Sequence, residues 1–406
     1  MADLERTLQS VIEKTTQGFR VLLLNGQRQT GKTTLFKNMT KNKKRSYVSL
    51  DDIETRRLAQ SDPELFLQQF PPPIIIDEIQ YAPQLFPYIK IYADENREHK
   101  GAFWLTGSQK YTLMQGVHES LAGRIAIMDL MGLSYREKIK KPFSGMPFLH
   151  STDKSKDGKK LGIKDVYHCI WEGSLPELCV DKRIERERYY SSYVQSYIER
   201  DVRDFYKLEK PIQFYGFISA AASLTGQLLN YTNLARDIGI DVKTAQVWMG
   251  ILEKSGLVYL LHPYSPNITK RMIKTPKMYF LDTGLCAYLT KWLTPESLMM
   301  GAMSGAILET YAFGEILKSY LHNGREIAAY FYRDTNQQEI DIILEEDGTL
   351  YPIEIKKTAS PGFSDYKSFK ELEKLNKKIG LGAVLCLKGE RMALSREAVS
   401  IPVWEI

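Results

Sequence analysis

The stretch Val21-Leu22-Leu23-Leu24-Asn25-Gly26-Gln27-Arg28-Gln29-Thr30-Gly31-Lys32-Thr33-Thr34 organises the reading of the whole chain. Its apolar first half reads as a buried strand that ends at Asn25. A loop opens at Gly26 and closes at Gly31, and Lys32-Thr33 start a helix. This is the G-x-x-x-x-G-K-[ST] spacing of a Walker A loop. Glycine at both ends lets the backbone curl with no Cβ in the way. The N–H groups of Gly26, Gln27, Arg28, Gln29, Thr30, Gly31, Lys32, Thr33 and Thr34 can then converge on an anion. The first helical turn adds unpaired N–H groups and the positive end of its dipole. In such a loop the lysine reaches the β- and γ-phosphates and the hydroxyl of Thr33 holds the metal, so ATP with Mg²⁺ is the expected ligand.

Downstream, Pro71-Pro72-Pro73-Ile74-Ile75-Ile76-Asp77-Glu78 contains the β-branched run of a strand covered on both faces. Its two carboxylates fall at the C-terminal end, where ligands bind in an open parallel sheet. Asp77 is expected to support Mg²⁺ and Glu78 to polarise the attacking water. Ala102-Phe103-Trp104-Leu105-Thr106-Gly107-Ser108 predicts a further core strand, with Thr106 and Ser108 as candidates for sensing the γ-phosphate. Glu119 to Arg124 leads into another strand, Ile125 to Leu130. Arg124 admits two readings: a cation closing a helix C-terminus, or an arginine finger for the γ-phosphate of a neighbouring subunit, which requires a homo-oligomer.

Up to about residue 135 the chain resembles an AAA-type ATPase, on Gly26 to Thr34, Ile74 to Gln80, Leu105 to Gln109 and Ser120 to Arg124. It is similar to a prokaryotic AAA-type family whose C-terminal half is a domain of unknown function. The resemblance puts the trans arginine just before the fifth strand, at Arg124.

With 406 residues the chain exceeds a single core and should form two or three domains. A hydrophobic content of 43% and a charged content of 26% are ordinary for a soluble protein. No apolar run approaches the roughly 18 residues needed to span a bilayer. Asp3, Glu5, Arg6, Glu13 and Lys14 exclude a signal peptide, so a cytoplasmic protein without a membrane partner is expected. Cys169, Cys179, Cys286 and Cys386 show no paired spacing and read as reduced structural residues. A net charge of +6 permits a polyanion partner without demanding one.

Lys138 to Lys164 is rich in Lys, Gly, Ser and Asp and reads as a charged linker. Ile184 to Tyr206 predicts a long helix. Thr232 to Ile238 predicts a short helix closed by Gly239. Asp241 caps a second helix, Val242 to Lys254, whose expected apolar face includes Val242, Ala245, Val247, Trp248, Ile251 and Leu252. A strand begins at Leu257. This is the order of a winged helix-turn-helix, which would offer Lys243, Thr244, Gln246 and Met249 to double-stranded DNA. The same module serves equally as an interaction piece.

Ala306 to Tyr320 predicts a helix and Ala328 to Arg333 a strand. Glu339 to Leu344 and Leu350 to Lys356 alternate around Asp347-Gly348, a strong hairpin signal. That turn puts Asp341 opposite Glu354 and Glu339 opposite Lys356. Opposed carboxylates repel, so a cation should lie between them, either a second Mg²⁺ or Mn²⁺ or Lys356 itself. The set Asp341, Glu354-x-Lys356 and Glu309 resembles the PD-(D/E)xK nuclease core, with Gln338-Glu339-Ile340 standing where that motif has proline. The resemblance implies a nuclease site or a nuclease fold that no longer cuts. Leu381 to Lys388 predicts a further buried strand and Phe369 to Lys378 a lysine-rich helix. The expected fold is α/β: a P-loop AAA-type parallel sheet (residues 1–137), the linker (138–164), a helical winged-helix region (165–290) and a restriction-endonuclease-like α/β domain (291–406).

Overall fold

The computed structural model describes residues 4–41, 43–107, 121–141, 147–148, 160–197, 211–267, 275–334 and 336–406. Ser108, the centre of the predicted linker and the second half of the helix expected over Ile184 to Tyr206 lie outside them.

The N-terminal part runs α1 (Leu8–Thr15), β1 (Val21–Asn25), α2 (Lys32–Thr40), β2 (Ser46–Ser49), β3 (Ile74–Asp77), α3 (Leu85–Glu95), β4 (Phe103–Gly107) and β5 (Ile125–Asp129). The five strands form one sheet in the order β2-β3-β4-β1-β5. Every pairing is parallel. Alternate side chains serve opposite faces: Val21, Leu23, Ile74 and Ile76 pack on one side, and Leu22, Leu24 and Ile75 on the other. Both faces are covered, which is why the strands read as continuous apolar runs. Between α2 and β3, the helix Pro63–Gln69 starts as its sequence signals, with proline in its first turn and the Asp62 side chain accepting from the Leu65 N–H.

The middle part contains α4 (Ile163–Glu172), α5 (Arg186–Ser196), α6 (Pro211–Ser223), β6 (Gln227–Leu228), α7 (Tyr231–Ile238), α8 (Val242–Lys254), β7 (Val258–Leu261) and β8 (Lys277–Phe280). The strands form an antiparallel sheet in the order β6-β8-β7. Asn230 caps α7 and Asp241 caps α8, accepting from the Asn233 and Thr244 N–H groups. The rotation of α8 departs from the expected one. Trp248 packs edge-on against Phe214 and Phe217 of α6, with ring centroids 5.2 and 5.4 Å away. With Trp248 turned inward, Ala245, Met249 and Leu252 follow it at helical spacing and are buried. Met249, expected to face DNA, therefore lies in the core, while Val242 and Val247 are 39% and 56% exposed.

The C-terminal part begins with α9 (Ser304–Leu321). It continues as β9 (Ala329–Arg333), β10 (Glu339–Glu346), β11 (Thr349–Ile355), β12 (Lys378–Ile379), β13 (Gly382–Cys386), β14 (Met392–Ala393) and β15 (Ala398–Pro402). These form a mixed sheet ordered β14-β15-β13-β11-β10-β9, with β12 beside β11. Asp347 and Gly348 both have positive φ, +48° and +73°, the turn that Asp-Gly favours. Glu346 faces Thr349 and Ile342 faces Ile353. The same register, carried one pair further, sets Asp341 opposite Glu354. Pro352 is accommodated because it falls between the stretch of β11 paired to β12 and the stretch paired to β13. The lysine-rich segment is not an α-helix: Lys367–Leu375 is a 3₁₀ run that buries Phe369 and Leu372, and β12 follows.

One apolar core spans the middle and C-terminal parts. Phe313 of α9 stacks on Tyr279 of β8 at 4.5 Å and meets Tyr259 of β7 at 5.1 Å. The bridge between Pro263 and Phe331 continues β7 into β9. No described helix is long and apolar enough to cross a membrane, and none of the cysteines forms a disulfide.

Phe313→Ala should remove about 3–5 kcal/mol of stability, the usual loss for a buried phenylalanine. Urea unfolding should show the middle and C-terminal parts losing their structure at the same, lowered midpoint. A midpoint that hardly moves, or two separate transitions, would show that the shared core does not join them.

Candidate functional site

The glycine-bounded loop lies between β1 and α2, at the C-terminal edge of the parallel sheet. Gly26 has a φ of +152°, and a Cβ there would stand 2.1 Å from the carbonyl oxygen of Leu130. Gly31 has a φ of +91° and precedes the first residue of α2. The Lys32 ammonium is buried and donates to the carbonyls of Gly26 and Gln27 at 2.8 and 2.7 Å. Thr30 closes the loop from within, donating to the Gln27 carbonyl at 3.0 Å. Gln29 takes a left-handed φ of +60°. Arg28 reaches the hydroxyl of Tyr81. The Gln27 amide donates to the Gly256 carbonyl just beyond α8, so the middle part touches the loop directly.

Asp77 gathers hydroxyls. Thr33 Oγ1 lies 2.9 and 3.0 Å from its two carboxylate oxygens. Thr106 donates to Oδ1, and Tyr47 donates to Oδ2 at 2.9 Å. β4 lies between β1 and β3, so fully buried Thr106 sits between the loop and Asp77. The Thr106 hydroxyl also accepts the backbone N–H of Glu78 at 3.2 Å. Glu78 has a left-handed φ of +57° and its carboxylate accepts from the Gln80 amide. Tyr47 was not singled out in the sequence, where it reads as one more residue of a strand. Tyr47 is 36% exposed, and its partial desolvation together with the charge of Asp77 raises its pKa and keeps it a proton donor.

Arg124 precedes β5 at the edge of the sheet opposite the loop, since Ile125 pairs with Val21 and Asp129 with Asn25. Its guanidinium pairs with Asp94 of α3, Nε–Oδ1 2.5 Å and Nη2–Oδ2 3.0 Å. It does not meet the loop of its own chain.

Arg6, read in the sequence only as an early charge, is a buried strut. It donates to the carbonyls of Thr30 at 2.9 Å and Met131 at 2.7 Å, and its Nε lies 3.1 Å from Glu137 Oε1. Glu137 is fully buried and also accepts from the Thr7 and Ser134 N–H groups at 2.9 and 3.0 Å. Burial pushes its pKa up, but Arg6, His322 and these hydrogen bonds override it and hold the carboxyl well below the usual range. His322, at the end of α9, accepts the Met131 N–H at Nε2, 3.3 Å, and turns Nδ1 toward Glu137 at 3.4 Å. Beside the strut is a cavity of about 300 Å³ walled by Leu4, Gln29, Thr34, Asn38, Pro176 and Val180.

The second cluster assembles in the C-terminal part. Glu309, Asp341, Glu354 and Lys356 lie together there. Lys356 lies 2.5 Å from Glu354 Oε2 and 3.5 Å from Asp341 Oδ2. Asp341 also accepts the Ile355 N–H at 2.8 Å, and Ser368 donates to Glu354 at 2.7 Å. A lysine that sequence reasoning missed, Lys277 of β8, lies 2.5 Å from Glu339, 3.0 Å from Glu309 and 3.7 Å from Asp341. Burial and the neighbouring Asp341 charge raise the pKa of both Glu354 and Glu309 above the usual carboxylate range. Among the described residues, no three His, Cys, Asp or Glu side chains are grouped to hold a metal ion.

Residues 18–139 match the family described as AAA domain. Residues 163–296 and 304–406 match two domains of unknown function, DUF8612 and DUF4143. An uncharacterised protein of Mycobacterium tuberculosis is 28% identical over 346 residues, covering 85% of this chain and 72% of that protein. Another, from Methanocaldococcus jannaschii, is 22% identical over 342 residues, covering 77% and 67%. Among solved structures, the Walker-type ATPase of Pyrococcus abyssi aligns with 14% identity over 70% of this chain and 94% of that one, with a TM-score of 0.42. The Thermotoga maritima RuvB Holliday junction branch migration motor aligns with 14% identity over 64% and 87%, with a TM-score of 0.30. The AAA match and the parallel sheet with its glycine-bounded loop mark residues 18–139 as a P-loop domain of the AAA type.

Arg6→Met should lower stability by about 3 kcal/mol or more, because it strands the Glu137 charge in the core. The double variant Arg6→Met/Glu137→Gln should recover part of the loss. Thermal melts of both, beside the unaltered chain, read this directly. A single variant that melts with the unaltered chain would mean that Glu137 does not depend on Arg6.

Proposed function

We propose that this chain is a Mg²⁺-dependent ATPase. The observation that carries the reading is the convergence of Thr33, Thr106 and Tyr47 on Asp77 beside the phosphate-cradling loop. A hydroxyl and a carboxylate sharing one spot are hard oxygen donors that suit Mg²⁺. Thr33 and Asp77 would hold that ion, which neutralises charge on the β- and γ-phosphates when bound. The backbone of residues 26–34 cradles the phosphates, and Lys32, already at the mouth of the loop, meets their charge. Glu78 orients and polarises the attacking water. Thr106 connects the Glu78 backbone to Asp77 and so ties the base to the metal ligand. The cavity beside Gln29 and Thr34 is large enough for a small ligand group and takes the base and ribose. Arg124 serves a neighbouring subunit in this reading, and its bond to Asp94 opens on assembly.

The ATPase part closes at about residue 137, and the regions 165–290 and 291–406 act as one body on their shared core. Helix, turn, helix and a small sheet support a winged-helix reading of the middle and, with it, coupling to DNA. A second reading has a specific observation in its favour. The outward face of α8 carries Val242, Lys243, Gln246 and Val247. One lysine between two exposed valines is a weak phosphate-binding surface. It suits a switch in which nucleotide state controls contact with a protein partner.

Lys32→Ala should abolish ATP turnover while the fold persists by circular dichroism; unchanged turnover would sink the assignment. Glu78→Gln should still bind ATP and turn it over at least about 100-fold more slowly, the scale of a lost general base.

The protein-partner reading predicts that steady-state turnover with linear double-stranded DNA present matches turnover without it. A several-fold rise would make DNA the partner and leave the ATPase assignment standing.

A further inference from the structure

The acidic cluster of the C-terminal part contains a cation supplied by another sheet. Glu309 comes from α9, Glu339 and Asp341 from β10, and Glu354 from β11. Lys277, only 3% exposed, enters from β8 of the small sheet. The topology forces it there. β7, the neighbour of β8, runs on through His262 and Tyr264 into backbone hydrogen bonds with Phe331 of β9, 3.2 and 2.6 Å long. β9 in turn pairs with β10. The first residue of β8 is thereby carried to the acidic end of β10. There the β9–β10 register slips by one residue between Ile340 and Ile343, the stretch that contains Asp341.

We propose that Lys277 is the resident cation of this cluster and excludes a divalent metal from it. The proposal does not depend on whether the chain hydrolyses ATP. Three facts carry it. First, Lys277 touches three of the four carboxylates, Glu309, Glu339 and Asp341. Lys356 takes Glu354 and the remaining oxygen of Asp341. Between them the two ammonium groups occupy the acid pair that a nuclease-like core would turn toward a metal.

Second, Lys277 has nowhere else to go. Tyr279 also spends its hydroxyl on Glu309, at 2.6 Å, and the Phe331 ring lies beside the ammonium, 5.8 Å from its centroid. A lysine so enclosed keeps its charge only because the carboxylates surround it. Third, a Mg²⁺ or Mn²⁺ ion needs oxygens at about 2.0–2.6 Å. Bringing it to Asp341 would set a double positive charge against the buried Lys277 ammonium, 3.7 Å from Asp341 Oδ1. Metal and lysine compete for one place.

The consequence concerns what the C-terminal part does. With the lysine seated, its carboxylates cannot activate water through a metal. The same contact binds the small sheet to the large one as an electrostatic latch.

The test uses the full-length chain, free of nucleotide, with Mn²⁺ as the probe and free Mn²⁺ counted by electron paramagnetic resonance. Each background is compared with and without Asp341→Asn, so that only binding at this cluster is scored. The wild-type chain should show no Asp341-dependent Mn²⁺. Lys277→Met should gain one such ion per chain, and Mn²⁺ should raise its melting temperature. Lys277→Gln, which keeps a hydrogen-bonding side chain, is read alongside in case the methionine variant does not fold. An Asp341-dependent ion in the wild-type chain overturns the proposal. So does a folded Lys277 variant that gains no ion.

Discussion

A carboxylate taken out of water must meet a cation or a proton, and that requirement ties this molecule together. Glu137, Glu315, Asp341 and Glu354 are all buried. Glu137 finds Arg6, far away in sequence. Glu315 accepts the Tyr135 N–H at 2.8 Å and pairs with Lys318, which also donates to the Leu133 carbonyl at 3.1 Å. Asp341 lies between Lys277 and Lys356. Compared with apolar residues of the same shape, such pairs add little net stability. A missing partner is heavily penalised. They therefore select one arrangement of the three sheets more than they strengthen it.

What the sequence reveals and what it hides divide along that line. The loop at residues 26–34 is legible because a short, contiguous spacing dictates the backbone. The run Ile74-Ile75-Ile76 is legible because a strand covered on both faces has no polar side to hide. The register that opposes Asp341 to Glu354 follows from Asp347-Gly348, since a two-residue turn fixes every pair behind it. Lys277 was not legible. In Pro276-Lys277-Met278-Tyr279 it looks like a flanking charge, and its burial depends on β9, about fifty residues later. The same applies to Arg6 and to Tyr47, whose importance lies in partners that local patterns do not announce. The rotation of α8 was misjudged for a related reason. Val242 and Val247 are as apolar as Met249, and only the packing of Trp248 against α6 decides which of them faces inward.

α9 turns these separate contacts into one frame. Its C-terminal half holds the segment after β5 through Glu315, Lys318 and His322, and His322 and Arg6 flank the same Glu137. Its N-terminal half holds Glu309 against Lys277. The span from Glu309 to His322 is about 20 Å at 1.5 Å per residue. A second line runs from the loop through Gln27 to Gly256, along β7 to its partner β8, and so to Lys277. One line starts at Thr30 and reaches Glu309, and the other starts at Gln27 and reaches Lys277. Thr30 and Gln27 both belong to the glycine-bounded loop between β1 and α2. Packed interiors transmit displacement because they have little void to absorb it. Both members of the Glu309–Lys277 pair are therefore joined to the glycine-bounded loop by continuous lines of packed and hydrogen-bonded contacts.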